Sequence, residues 1–290
     1  MFRISLIALV ALTAFAQDDG KEDDYKAYGQ HWQTVVKTGH YKIYSMLGGS
    51  LTDEVAKRQE LILKQYKTVF PKKKFPRVKE KVVFPVLIFE SRGGYETFSR
   101  ANGFDPEKAA GYYSPTHKYT VLFYGTDESL ISTLFHEAFH QFLHHVLPNT
   151  NSIPTWLNEG LATFFGGAKY DKKLGTVSVQ PGVVNVSRIN QTRKAMLTDS
   201  HVGLEELMKA SHEKFYEEDH ISLYYSEGLS VVYFLINWGG KRRTGIKLLV
   251  SYFQALEEGK DIEEAYAEVF EKKMPKMEKR WRKTILSMKF

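Results

Sequence analysis

The 290 residues include no cysteine. No disulfide can staple the chain, so an apolar core has to hold the fold unaided. Long apolar runs are missing too, except at the start, where Arg3 precedes an apolar stretch from Ile4 to about Phe15 that closes in Ala14-Phe15-Ala16. This reads as a secretory signal peptide with a small-x-small cleavage site near Ala16, implying a periplasmic or extracellular protein. It is too short for a membrane span, and no other stretch approaches about eighteen uninterrupted apolar residues. No cysteine follows it, which excludes a lipoprotein anchor.

Charge of one sign is also scarce: 40 Lys and Arg face 34 Asp and Glu, and loss of Arg3 with the signal peptide lowers the formal charge from +6 to +5. The one dense basic run, Pro71-Lys72-Lys73-Lys74-Phe75-Pro76-Arg77-Val78-Lys79, is punctuated by prolines and lies between a helical and a strand pattern. It reads as a solvated loop and not as a nucleic-acid surface. At about 270 mature residues, one core or two lobes around a cleft is feasible.

What is present is an α+β pattern. His40 to Met46 alternates as a strand, and Thr52 is positioned to cap a helix reaching about Phe70, with Val55, Ile62, Tyr66 and Val69 as its buried stripe. Val82 to Phe89 is the central strand candidate, although Pro85 favours an edge or bulge. A short helix is expected near Tyr95 to Ala101, and Ala110–Tyr113 and Tyr119–Tyr124 form a hairpin. Thr176 to Val179 is a short strand that would roof the cleft. Helices follow over Leu204–Ala210, Leu223–Trp238, Thr244–Leu256 and from Asp261 to Phe270, and Trp281 and Ile285 lock a last one.

Leu134-Phe135-His136-Glu137-Ala138-Phe139-His140-Gln141 contains His-Glu-x-x-His inside an amphipathic helical pattern. Thr126 is its N-cap, Asp127 and Glu128 suit its first turn, and Pro148 stops it. At about 100° per residue, His136 and His140 lie one above the other on one helix face, near enough to share a metal ion. In zinc peptidases with this motif the imidazoles ligate Zn²⁺ and the Glu between them takes a proton from water. Glu137 is that base. The alternative is a pair of buried histidines satisfied by hydrogen bonds.

Eighteen residues beyond His140 comes Glu159, in Trp156-Leu157-Asn158-Glu159-Gly160-Leu161-Ala162. Catalytic zinc takes three protein ligands, and two His with one Glu is a known set, which Glu159 completes. The segment resembles Trp-Leu-Asn-Glu-Gly-Phe-Ala of the aminopeptidase N family, among the gluzincins of the peptidase MA clan, whose third zinc ligand is that Glu. Tyr225-Ser226-Glu227-Gly228-Leu229 is similar to that family's Tyr-Glu-Lys-Gly stretch, whose tyrosine stabilises the oxyanion. The resemblance assigns this role to Tyr225 and not to Tyr224, with His220 as the alternative donor. The chain as a whole is most similar to a largely uncharacterised bacterial family of exported, peptidase MA-like domains.

The resemblance implies a zincin-like fold: signal peptide 1–16, charged leader 17–39, then one metallopeptidase domain over 40–290. Within it lie a mixed-sheet lobe (40–125), active-site helices (126–166) and a helical lobe (203–290). It also implies that the strand Ala110, Gly111, Tyr112 and Tyr113 is an edge on which extended substrate pairs. The family's Gly-x-Met-Glu-Asn, whose carboxylate holds a free substrate amine, has no counterpart in Gly111-Tyr112-Tyr113-Ser114. An endopeptidase is therefore favoured over an aminopeptidase. His144, one turn beyond His140 but about 40° further round, and His145, which faces elsewhere, read as supporting or surface groups and not as ligands; Thr163 is a weak candidate for supporting a ligand, and Asn185 and Arg188 receive no role. Two other readings share these residues, a silent zincin-fold binding protein of the cell envelope and a zinc hydrolase of non-peptide amides or esters.

Overall fold

The computed structural model describes residues 24–107, 109–147, 153–171, 173–179, 185–240 and 243–289. The expected signal peptide, the first part of the charged leader and Pro148 lie outside these residues. The fold is mixed α+β. Five strands, β1 (Thr34–Lys37), β2 (Tyr41–Ser45), β3 (Phe84–Phe89), β4 (Gly111–Ser114) and β5 (Tyr119–Phe123), form a sheet in the order β1-β2-β3-β5-β4. The middle three are parallel, and each outer strand runs antiparallel to its neighbour. β1 lies within the stretch expected as a leader. The segment before it docks on the sheet as well, with Trp32 buried and the Tyr28 ring 5.3 Å from that of Tyr44.

Pro85 sits in the central strand and not at an edge. Phe84 N–H donates to His40 O, so the even-numbered residues of β3 face β2 and Pro85 faces the other neighbour. There the ladder with β5 begins only at Val86, so the missing proline N–H costs no ladder bond. The Pro85 carbonyl instead accepts from Gln141 Nε2 at 3.1 Å.

Side chains alternate between the sheet's two faces. Tyr41, Ile43, Phe84, Val86, Ile88 and Leu122 belong to the main core with the helices; Tyr44, Leu87, Phe89, Tyr119 and Val121 pack on the other side with Trp32, Tyr95 and Phe98. α1 (Gly49–Tyr66) begins three residues before the expected cap. Gly48 is its N-cap, and Thr52 lies inside the first turn, donating to Gly48 O at 3.1 Å. α2 (Arg92–Ala101) is capped by Ser91.

α3 (Asp127–Val146) and α4 (Thr155–Gly166) are followed by a small hairpin of β6 (Lys169–Asp171) and β7 (Thr176–Ser178). That hairpin packs on α1, where Gln65 Nε2 donates to Val177 O at 3.2 Å and the Arg58 guanidinium lies 4.7 Å from the Tyr170 ring. None of its described residues lines the cleft.

The helical remainder comprises α5 (Val186–Leu197), α6 (Leu204–Lys209), α7 (His212–Phe215), α8 (Ile221–Asn237), α9 (Thr244–Glu257), α10 (Ile262–Val269) and α11 (Met274–Ser287). Asp261 and Glu264 form a capping box at α10. Trp281 is fully buried in α11 and donates to Ser230 Oγ of α8 at 2.9 Å.

Candidate metal centre

α3 starts at a capping box, in which Thr126 and Ser129 satisfy each other's backbone N–H groups. Its apolar face buries Leu130, Leu134, Phe135, Phe139 and Phe142. At roughly 1.5–3 kcal/mol for each large apolar side chain removed from water, this anchoring outweighs the cost of holding polar groups half-buried on the opposite face. Polar bonds fix the helix's position: Tyr66 Oη of α1 donates to Phe135 O at 2.6 Å, and Gln141 Nε2 donates to Lys118 O before β5 at 2.9 Å. His136, Glu137 and His140 share the face that remains.

α4 brings Glu159 against them, and its own placement depends on α8. A Cβ on Gly160 would meet Gly228 O at 2.7 Å, so the two helices touch backbone to backbone where these glycines cross. Glu159 adjoins that crossing on α4, and Tyr225, one turn before Gly228, adjoins it on α8. The close approach sets these two side chains together.

His136 Nε2 and His140 Nε2 are 3.2 Å apart, His136 Nε2 lies 3.4 Å from Glu159 Oε2, and His140 Nε2 lies 3.8 Å from Glu159 Oε1. Donors about 2.0–2.1 Å from a tetrahedral ion stand about 3.3 Å from one another, so these separations suit the edges of one such site. Among the described residues this is the cluster of three that fits a metal ion. His140 Nδ1 is 2.8 Å from Asn158 Oδ1. An amide oxygen only accepts, so Nδ1 carries the proton and the Nε2 lone pair is directed at the cluster.

Burial opposes ionisation of Glu159, but His140 and His136 beside it, with the Tyr225 hydroxyl, hold its carboxyl down to about 2. Burial also works against the protonated form of His136, yet Glu159 and Glu137 outweigh it and raise its pKa. Such a cluster of negative potential around paired imidazoles is one that a cation satisfies. Glu137 is different: burial pushes its pKa up despite the two histidines, and its Oε2 accepts the Tyr113 N–H of β4 at 2.9 Å. The sheet's edge strand thus holds this carboxylate from one side while α3 carries it from the other.

Tyr225 faces the cleft, and burial, followed by the Glu159 charge, raises its pKa. Tyr224 is buried with its ring 5.5 Å from that of Phe215. His220 stands just before α8 with its ring 6.3 Å from Tyr224 and does not line the cleft. His144 Nδ1 is 2.7 Å from Tyr113 Oη and His145 Nε2 is 3.0 Å from Arg77 O, so each has a partner away from the cluster. Thr163 lines the cleft, and the bond to His140 comes from Asn158.

Sequence reasoning missed three residues here. Asn158 lay unremarked inside the Trp-Leu-Asn-Glu segment. Tyr216, just after α7, donates from Oη to Glu159 Oε1 at 3.2 Å, from 57 residues away. Arg188, one turn into α5, places its guanidinium 5.1 Å from the Tyr225 ring and lines the same cleft of about 360 Å³ as His136 and Glu137. The sequence signal that could have marked α5 is Asn185, its N-cap, whose side chain accepts from Arg188 N at 3.2 Å.

Fold and cluster together define a mixed α+β protein with a metal-compatible site of two His and one Glu. Residues 130–263 match the model of a family described as a protein of unknown function, DUF1570. That stretch contains His136, Glu137, His140, Glu159, Arg188 and Tyr225. No curated protein matches the chain.

Proposed function

We propose that this chain is an exported, zinc-dependent metallopeptidase of gluzincin type, acting on peptide bonds away from a free N-terminus. The observation that carries the reading is the tetrahedral spacing of His136, His140 and Glu159 beside a fourth polar group, Glu137, that is held by a strand and is not one of the three donors. A structural metal site needs ligands but no adjacent base. Two imidazole nitrogens and one carboxylate oxygen are a donor set suited to Zn²⁺. When bound, the ion would polarise the scissile carbonyl and lower the pKa of water at the open position.

The chain's own residues supply the rest. Glu137 accepts a proton from the attacking water and delivers it to the leaving amine. Burial raises its pKa above that of an exposed carboxylate, which favours proton uptake. Tyr225 stays protonated because burial and the Glu159 charge raise its pKa, so its O–H donates to the carbonyl oxygen as negative charge develops there.

The edge strand β4 offers backbone to substrate, in part. The Tyr113 N–H is committed to Glu137, and the Tyr112 ring is buried, stacked 3.8 Å from Phe104. Gly111 of this strand and Ala110 just before it line the cleft. Apart from Glu137, no carboxylate is among the described residues lining it, so none of these other residues would hold a free amine. This supports an endopeptidase or carboxyl-side specificity.

The test is mass-spectrometric mapping of cuts in a complex peptide library by zinc-loaded mature protein, with Glu137→Gln as control. Internal cuts present only in the wild type are expected. No cuts from a fully loaded protein would overturn the peptidase reading, in favour of a non-peptide amide or ester hydrolase or a silent envelope-binding protein.

A further inference from the structure

We propose that Arg188 is the substrate-anchoring residue of this cleft and takes a carboxylate of the bound peptide, either its C-terminal group or an acidic side chain near the scissile bond. This inference rests on the peptidase reading for its substrate class but on separate observations for its chemistry.

The Arg188 guanidinium is half-buried, and burial lowers its pKa from the ordinary arginine value. Removing such a group from water is costly unless a carboxylate pairs with it. Among the described residues Arg188 has no such ion-pair partner: its side chain rests against the Tyr225 ring, and it feels Glu159 only at longer range. Glu159 is itself engaged by Tyr216 and the two histidines. The guanidinium therefore lines the cleft with its hydrogen-bonding fork uncommitted to any carboxylate of the described residues.

The charge of the cleft points the same way. Glu137 in the cleft and Glu159 in the ligand cluster beside it are offset in part by Arg188, and a divalent cation on the three ligands would leave the site net positive. A peptide bringing one negative group would neutralise it. Arginine is suited to this because its planar fork binds a carboxylate through two parallel hydrogen bonds. The cleft runs from Ala109, Ala110 and Gly111 on the sheet side, across His136 and Glu137, to Asn185 and Arg188 on the helical side. A peptide lying on β4 with its reacting carbonyl over the motif would have Arg188 across the cleft from its backbone.

A purely structural role for Arg188 makes a different forecast. If the guanidinium only braces the Tyr225 ring, its loss would slow charged and neutral peptides alike, through kcat. Substrate anchoring predicts instead that the loss falls on carboxylate-bearing peptides and on KM.

Calorimetric binding to the zinc-loaded Glu137→Gln protein tests this without turnover. Two matched pairs serve as probes: an N-acetylated peptide with a free C-terminal carboxylate against its amide, and an end-blocked peptide with Glu against the same peptide with Gln. In at least one pair the carboxylate member is expected to bind ten- to a hundredfold more tightly, as a charge-assisted bond allows. The pair that shows the preference identifies which carboxylate is read. Adding Arg188→Gln should shrink that ratio below about threefold with zinc content unchanged, and Arg188→Lys, which keeps the charge but not the fork, should fall between. No preference in either pair, or a preference that survives Arg188→Gln, would overturn the proposal. Preferential binding in a protein that cuts no peptide would sink the peptidase reading and leave the carboxylate site standing.

Discussion

The sheet side and the helical side of the cleft hold their functional groups by different means. On the sheet side a backbone N–H, that of Tyr113, fixes Glu137 at 2.9 Å, and the strand that does so is an edge whose neighbouring residues Ala110 and Gly111 line the cleft. On the helical side Glu159 and Tyr225 are set by two glycines that let α4 and α8 touch. The first arrangement ties the proposed base to the strand proposed to receive substrate. The second ties a proposed ligand to the proposed oxyanion donor. Base and substrate would therefore be registered together, and metal and oxyanion donor together, with α3 as the element common to both.

Variants on the two sides should separate these couplings. The largest effect is expected on the sheet side. Gln at position 137 can still accept the Tyr113 N–H through its amide oxygen but cannot take a proton. Glu137→Gln should keep one zinc per chain and lose about 10²–10⁴-fold in kcat. Loss of zinc in that variant, measured by plasma mass spectrometry, would show that Glu137 belongs to the ligand set.

On the helical side, Tyr225→Phe keeps the ring under Arg188 and removes only the hydroxyl. About 10²–10³-fold is expected in kcat, with zinc content and KM little changed. Unchanged turnover would return Tyr225 to a packing role.

Asn158→Ala is expected to act more weakly and on a different quantity. It removes the acceptor that fixes the His140 ring, so zinc affinity should drop about 10–100-fold in competition with a chelator while saturating zinc restores turnover. Turnover that stays low at saturating zinc would mean that Asn158 does more than orient a ligand.

These comparisons also explain what the sequence made legible. The proposed ligands and base sit at fixed short spacings on two helices whose starts and stops are coded locally, so the Thr126 cap and the cluster of His136, His140 and Glu159 were legible. The mixed α+β class and most helix positions followed from periodicity and capping. What escaped depends on contacts between distant residues. Tyr216 reaches Glu159 only because α7 folds back beside α4, and Arg188 enters the cleft only because α5 packs on α8. Pro85 looked unsuited to a central strand because sequence does not reveal on which side a ladder has yet to begin. Thr52 was read as a cap because a threonine near a helix start serves equally well one turn inside it, bonded to the carbonyl behind, while Gly48 carries no side-chain signal.

The smallest effect tests the packing behind α8 and not the cleft. Glu227 is fully buried two residues after Tyr225, and its carboxylate accepts the Val202 N–H at 3.0 Å. Burial pushes its pKa up to about 7; the Val202 and Gly203 N–H groups work against this, while Glu278 and Glu206 add to it. A raised folded-state pKa means that the folded chain binds more protons than the unfolded chain between the ordinary glutamate value and about 7. The resulting stabilisation is full below the unfolded pKa and is lost as pH rises through the folded one. Between pH ~5.5 and ~8 the wild type should lose about 1–2 kcal/mol more unfolding free energy than Glu227→Gln, whose neutral amide oxygen still accepts the N–H bond. Urea midpoints of the two proteins at both pH values decide it. Equal pH dependence would mean that Glu227 is ionised in the fold at neutral pH and that its two backbone donors outweigh its burial.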